Sequence, residues 1–173
     1  MAASVPEPAG GSRRTGYDDP DLLDRPGFRG IGVMLGGERY LLPLPDVVHI
    51  AVMPEVTRVP GLPRWVLGLA NWRGRVLAVV DLRTLLGLPG VASHGDPDVP
   101  AARLAVVAAG GITVGLRVDA VGGVLQAAGS AGRVPVTGGA AGLVVDVVQV
   151  GSETVGVLSA AGVVGLRSLL GEV

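Results

Sequence analysis

Residues 66–83, VLGLANWRGRVLAVVDLR, constrain the fold more than any other stretch of this chain. Two runs rich in Val, Leu and Ala flank Trp72-Arg73-Gly74-Arg75. Apolar runs around a short glycine-containing break read as two strands joined by a tight turn. Gly74 can take the positive φ such a turn needs, and Arg73 and Arg75 beside it are too costly to bury. The turn therefore carries guanidinium groups out from an apolar scaffold. Planar, permanently charged forks suit carboxylates and carbonyls on another molecule, so the segment points to a binding protein before any enzyme.

The same grammar recurs along the chain. Residues 31–35, Gly36-Gly37 and residues 38–42 form another hairpin signal. Leu44-Pro45-Asp46-Val47 suggests a short helical turn, and residues 47–52 and 56–59 add β-type side chains. Gly61-Leu62-Pro63 breaks the strand, residues 64–67 are expected to wind into a helical turn, and residues 81–86 into a short helix. A connector holding Pro89, Gly90, Gly95, Pro97 and Pro100 follows, after which the pattern restarts with residues 104–108, Gly110-Gly111 and residues 112–118. Residues 163–171, VVGLRSLLG, echo residues 79–87, VVDLRTLLG. An early Gly-Gly hairpin and a late echo in each half mark an internal duplication.

Two copies are too few for a solenoid, whereas two small barrels packed together cover each other's thin cores and remove exposed strand edges. The expected fold is thus all-β, with a first barrel at about 30–88, a connector at 89–101 and a second barrel at 102–173. Residues 1–29, rich in Pro, Gly, Asp and Arg and without apolar periodicity, are expected to form a mobile arm.

Composition bounds the chemistry. Hydrophobic residues make up 49% of the 173 positions but aromatics only 3%, so a substantial core must be built from Val, Leu, Ile and Ala. The 29 glycines and 13 prolines favour many turns and short strands. No cysteine is present, which excludes disulfides, thiolate metal sites and thiol catalysis. A net charge of −1 argues against a broad grip on nucleic acid. The longest apolar runs, 104–116 and 154–166, are too short and too broken by glycine to cross a bilayer, and no secretory signal is read near Met1, so a cytoplasmic protein is expected.

Catalytic constellations are missing. No Gly-x-Ser-x-Gly elbow, phosphate loop or dinucleotide fingerprint occurs in a strand-to-helix context. His49 lies in an alternating β-type segment and reads as a strand residue. His94 stands near Asp96 and Asp98 in the connector, and Asp18, Asp19, Asp21 and Asp24 lie in the arm; both groups read as solvated rather than metal-binding. No catalytic residue, metal or cofactor is expected. Between Val56 and Arg83 lie Arg58, Arg64, Arg73, Arg75 and Arg83, with Asp81 the only acid. Scattered solvated arginines are the plain reading of that charge. Both tryptophans, Trp65 and Trp72, fall in the same segment, a pairing enriched at interface hot spots, although either ring, and Trp65 above all, can instead plug a core.

At this point the chain resembles the CheW family of chemotaxis adaptors. The likeness rests on Gly36-Gly37-Glu38-Arg39-Tyr40, Val56-Thr57-Arg58-Val59-Pro60-Gly61-Leu62-Pro63, Gly68-Leu69-Ala70-Asn71-Trp72-Arg73-Gly74, Val79-Val80-Asp81-Leu82-Arg83 and Val114-Gly115-Leu116-Arg117-Val118-Asp119-Ala120-Val121, and runs from about residue 30 to 170. It implies two five-stranded SH3-like barrels with a hydrophobic seam and no catalysis. It also implies an adaptor coupling the cytoplasmic tip of a methyl-accepting chemoreceptor to a CheA-like histidine kinase, recruited to membrane-associated arrays without inserting into the membrane. Receptor binding then falls to Asn71, Arg73 and Gly74, with Gly68 and Arg75 nearby, and kinase binding to Val47 and His49. The chain departs from the family pattern at His49, where an acid is common, at Val157-Leu158-Ser159-Ala160, where Asn or Asp is favoured, and in its long arm. A CheW-like adaptor of a type IV pilus or other chemosensory-like pathway is the alternative. A small β-barrel enzyme or ligand carrier would need titratable groups converging in a cleft.

Overall fold

Aliphatic runs punctuated by paired glycines become a succession of short antiparallel hairpins in the structure, a computed structural model that describes residues 27–90, 101–132 and 142–166. The first half supplies β1 (Arg29–Leu35), β2 (Glu38–Pro43), a 3-10 turn (Leu44–Asp46), β3 (Val47–Val52), β4 (Val56–Thr57), β5 (Val66–Trp72), β6 (Arg75–Asp81) and helix α1 (Leu82–Leu85). The second supplies β7 (Arg103–Ala109), β8 (Ile112–Val118), β9 (Ala120–Gln126), β10 (Ser130–Gly132), β11 (Val144–Val150), β12 (Glu153–Leu158) and helix α2 (Ala160–Gly165). Gly36 and Gly37 have φ of 60° and 87°, and Gly110 and Gly111 have 56° and 77°. Paired left-handed residues give the turn whose twist matches the flanking strands, which is why both hairpins carry Gly-Gly.

The strands form two six-stranded sheets. One has the order β10-β11-β12-β2-β1-β9 and the other β3-β7-β8-β6-β5-β4. Each half of the chain thus repeats the same series: hairpin, long strand, short strand, hairpin, helix. The expected duplication and all-β class hold. The sixth strand of each sheet is one of the short ones, β4 or β10, in place of the five-stranded count expected.

The barrel boundaries expected at 30–88 and 102–173 need correction, because each half lends its opening hairpin to the other. β1 pairs with β9 and β2 runs parallel to β12, with Gly156 opposite Tyr40 and Val157 opposite Leu41. In the other sheet β7 pairs with β3, and β8 runs parallel to β6, placing Val79, Val80 and Asp81 opposite Gly115, Leu116 and Arg117. The physical reason lies in the hairpin itself, which is apolar on both faces. Val33, Leu35 and Leu42 enter one core and Leu41 another, all fully buried. A two-faced hairpin satisfies its alternation equally well beside either half, so the pattern does not declare its neighbour.

Three smaller expectations also shift. Phe28 is buried and Arg29 pairs with Gln126, so ordered structure begins before residue 30. Residues 64–67 give a single turn and no more: Val66 N–H donates to the Pro63 carbonyl at 2.9 Å, and β5 starts at Val66, held by pairing to β6. The echo of 79–87 in 163–171 is out of step with the true repeat. Asp81 precedes α1, and its counterpart before α2 is Ser159, whose Oγ accepts the Gly162 N–H at 2.9 Å as a helix cap. Residues 167–171 of that echo, His94 with Asp96 and Asp98, and the acidic part of the arm lie outside the described residues.

The largest core joins the two sheets. Val33, Leu35, Leu42 and Leu158 of one sheet meet Val80, Val107, Leu116 and Val118 of the other, with Leu82 and Leu85 of α1 and Val163 and Val164 of α2 closing its ends. Trp65 packs at its margin, as one reading of the sequence had it. The cores proper to each sheet are smaller: Phe28, Leu41, Val148, Val155 and Val157 in one, Ala70, Leu77, Val79, Leu104 and Val106 in the other. Stability therefore resides in the shared seam. Leu42→Ala and Leu116→Ala are each expected to cost about 2–5 kcal/mol. Because the seam belongs to both sheets, urea unfolding of either variant should remain a single transition, with near-ultraviolet and far-ultraviolet circular dichroism coinciding.

Candidate functional site

Asn71, Trp72, Arg73 and Gly74 sit where β5 turns into β6, at the end of the second sheet. Arg73 is the only non-glycine residue among those described with positive φ, at 50°, and Gly74 follows at 76°. Two consecutive left-handed residues close the two-residue hairpin, and the Gly74 N–H donates to Asn71 Oδ1 at 3.0 Å, bracing the turn from its own strand. Asn71 is the only asparagine in the sequence, and its short amide reaches back across the turn. Asn71, Arg73, Gly74 and Arg75 are all exposed.

The exposed guanidinium is nonetheless held. Arg73 Cζ lies 5.1 Å from the centroid of the Trp72 ring, a cation–π contact. Its Nη2 is 3.5 Å from His49 Nε2, and the His49 and Trp72 rings are 6.0 Å apart, tilted by 43°. Trp72 is half-buried against the core of Leu77 and Leu104. A rigid ring seated in the core thus orients a charge in solvent, which lowers the entropy lost when that charge meets a partner. β3 is one edge strand of this sheet while β5 lies toward the opposite edge, so the sheet curls far enough to bring His49 to Trp72.

The remaining expected site residues separate by position. Val47, at the start of β3, is half-buried against the seam core, and its neighbour Val48 is 52% exposed. Gly68 is buried with φ 142°, and a Cβ built there would collide with the Thr57 carbonyl. Its evident task is to let β4 approach β5, which places it under the turn's scaffold rather than at the surface. The residues expected to contact two different partners, His49 and Arg73, are brought side by side.

A second charged cluster escaped the sequence reading as a site. Arg117 on β8 is 8% exposed, and its Nη1 donates to Asp81 Oδ1 at 3.3 Å and lies 3.7 Å from Asp119 Oδ1. Asp81 also accepts from Thr84 Oγ1 at 2.8 Å, and Asp119 accepts the Gly36 N–H at 2.8 Å and lies 3.5 Å from Arg83 Nη1. The network ties α1, β6 and β8 to the β1–β2 turn of the other sheet. Its available signal was a charge set in a wholly apolar run, Val-Gly-Leu-Arg-Val, on a strand enclosed from both sides.

Tyr40 on β2 lines a shallow groove with Glu38, Arg39 and Glu153. Its hydroxyl donates to Glu38 Oε2 at 2.8 Å, and Arg39 pairs with Glu153 at 2.7 Å. Burial, then the hydrogen bond to Glu38 and its charge, push the Tyr40 phenol up to about 12. The folded state thus holds the proton more tightly than the unfolded chain, whose tyrosines titrate near about 10. This contribution to stability is complete below about pH 10 and is lost as pH rises through about 12. In a Tyr17→Phe background, phenolate absorbance should titrate near 12, and Glu38→Gln should bring the midpoint back toward the ordinary value.

Among the described residues no group of three or more His, Asp or Glu side chains is placed to hold a metal ion, and no helix is long and apolar enough to cross a membrane. The geometry is that of a two-sheet β module displaying a rigid turn. Residues 29–167 match the CheW-like domain. The chain belongs to the CheW-like domain family.

Curated relatives include the protein PilI of Pseudomonas aeruginosa, 40% identical over 60 residues, which are 35% of this chain and 34% of the relative. The chemotaxis protein CheW of Helicobacter pylori is 36% identical over 66 residues, covering 38% and 40%. That of Klebsiella aerogenes is 33% identical over 92 residues, covering 53% and 52%. The matches span between about a third and a half of these relatives' length. Among solved structures, the scaffolding protein TtCheW from Thermoanaerobacter tengcongensis superposes with a TM-score of 0.68 at 24% identity, over 77% of this chain and 89% of that one, and so shares its fold.

The turn separates into a backbone demand and a side-chain display, and substitutions should resolve the two. Asn tolerates the left-handed conformation of residue 73, whereas a β-branched side chain does not. Arg73→Asn should leave the urea midpoint within about 0.5 kcal/mol of wild type, while Arg73→Val should cost about 1–2 kcal/mol. Gly68→Ala, which meets backbone, should cost about 1–3 kcal/mol or more.

Proposed function

We propose that this chain is a non-catalytic adaptor coupling the cytoplasmic tip of a chemoreceptor to a CheA-type histidine kinase in chemotaxis signalling. The observation that carries the reading is Arg73, exposed on a turn that only a left-handed backbone permits, yet fixed by Trp72 and His49 within a CheW-like domain. The relatives named chemotaxis protein CheW support the pathway. Asn71, Arg73, Gly74 and Arg75 face the receptor, and Val47 and His49 face the kinase. Gly68 acts from beneath by seating the strand that carries the turn.

The mechanism is geometric. Holding two partners at once raises their effective concentration and fixes their relative orientation, so that receptor state biases kinase activity without any reaction on the adaptor. His49 touching Arg73 makes the two surfaces contiguous, so both partners meet at one corner of the molecule. A pilus-associated branch is the second reading, favoured by the likeness to PilI over 60 residues.

The test uses Arg73→Asn, which keeps the turn and removes the guanidinium. Calorimetric titration of a receptor cytoplasmic fragment is expected to show a loss of about 1–3 kcal/mol relative to wild type. Unchanged affinity for receptor fragments by the folded variant contradicts the assignment. Co-purification with a pilus-type kinase and not with a chemotaxis kinase decides for the second reading.

A further inference from the structure

The arginine-rich segment divides in space. Arg73 and Arg75 stand on the turn, whereas Arg58 and Arg83, joined by Arg117 from β8, line an open groove of about 400 Å³. Its apolar wall includes Met53, Val56 and Leu67, each only partly buried against the core of the second sheet. Asp81 is the one carboxylate in the lining.

The charges there are not balanced from within. Asp81 divides its oxygens between Arg117 and Thr84. Asp119, behind the groove, divides its own between the guanidinium groups and the Gly36 N–H. Counting both acids, three arginines face two carboxylates. The chain as a whole carries a net charge of −1, so this positive surplus is local and not part of a generally basic surface. Planar guanidinium forks beside an unpartnered aliphatic wall complement a carboxylate on an aliphatic stem. The groove lies open on one side, which suits a segment of polypeptide better than an enclosed small molecule.

We propose that this groove is a second docking site, which takes an acidic side chain flanked by aliphatic residues on a partner protein. The carboxylate sits against Arg58, Arg83 and Arg117, and the flanking residues cover Met53, Val56 and Leu67. Arg73 does not line the groove, so the site operates independently of the turn and of the identity of the partner met there.

The test titrates the isotope-labelled full chain with the peptide Ac-Ala-Leu-Glu-Leu-Ala-NH2 and with its Gln counterpart, following amide shifts. The Glu peptide should saturate resonances of β4, β5 and α1, and the Gln peptide should bind at least about tenfold more weakly. Arg58→Ala, an exposed position, should weaken the Glu peptide by about fivefold or more, Arg83→Gln should do likewise, and Arg73→Asn should leave it unchanged. Arg117 is left in place because its buried pairing supports the fold, and thermal melting checks each variant. Equal binding of the two peptides overturns the proposal, as does wild-type affinity in Arg58→Ala. Saturation by free glutarate under conditions where the Glu peptide fails to bind also overturns it, since the groove would then be a small-carboxylate site.

Discussion

The parallel contact of β6 with β8, and its counterpart between β12 and β2, is the constraint on which the molecule depends. At each contact a strand from one half of the chain is fastened to a hairpin borrowed from the other. The exchange puts Val33, Leu35 and Leu42 in the same core as Val80, Leu116 and Val118, so neither half owns a complete interior. Arg117 marks the contact in the second sheet, where its register opposite Asp81 forms a buried ion pair. Removing one partner of such a pair costs far more than the pair contributes, which makes it a lock on register more than a source of stability.

The strands and turns were largely legible in the residues. Gly36-Gly37 and Gly110-Gly111 announce hairpins because only glycine takes two left-handed positions in succession without strain. Arg73-Gly74 announces the third, with the strain at Arg73 offset by its stacking on Trp72 and the brace from Asn71. Helix α1 was legible from residues 81–86, and the duplication from its repeated grammar.

What stayed hidden required knowledge of neighbours. The hairpin β1–β2 is apolar on both faces, so its pattern fits either half and the exchange could not be read from it. The false echo at 163–171 arose because Val-Val and Leu-Leu pairs recur in a chain built from few residue types; the cap at Ser159 reveals the true register only once hydrogen bonds are seen. His49 and Arg73, 24 positions apart, meet through the curl of a sheet, which no local periodicity encodes. Gly68 lies buried beneath β4, and that placement depends on the close approach of Thr57, which no local pattern announces.

The exchanged hairpin also dictates an order of events in the life of the chain. β2 finds its parallel neighbour in β12, more than a hundred residues further on, and β1 finds β9 only after most of the polypeptide exists. A ribosome making this chain therefore holds a greasy, two-faced hairpin without its permanent partners until β9 and then β12 have been made, and closure of the first sheet awaits Leu158. Such long-range pairing slows folding and exposes apolar edges to other nascent chains.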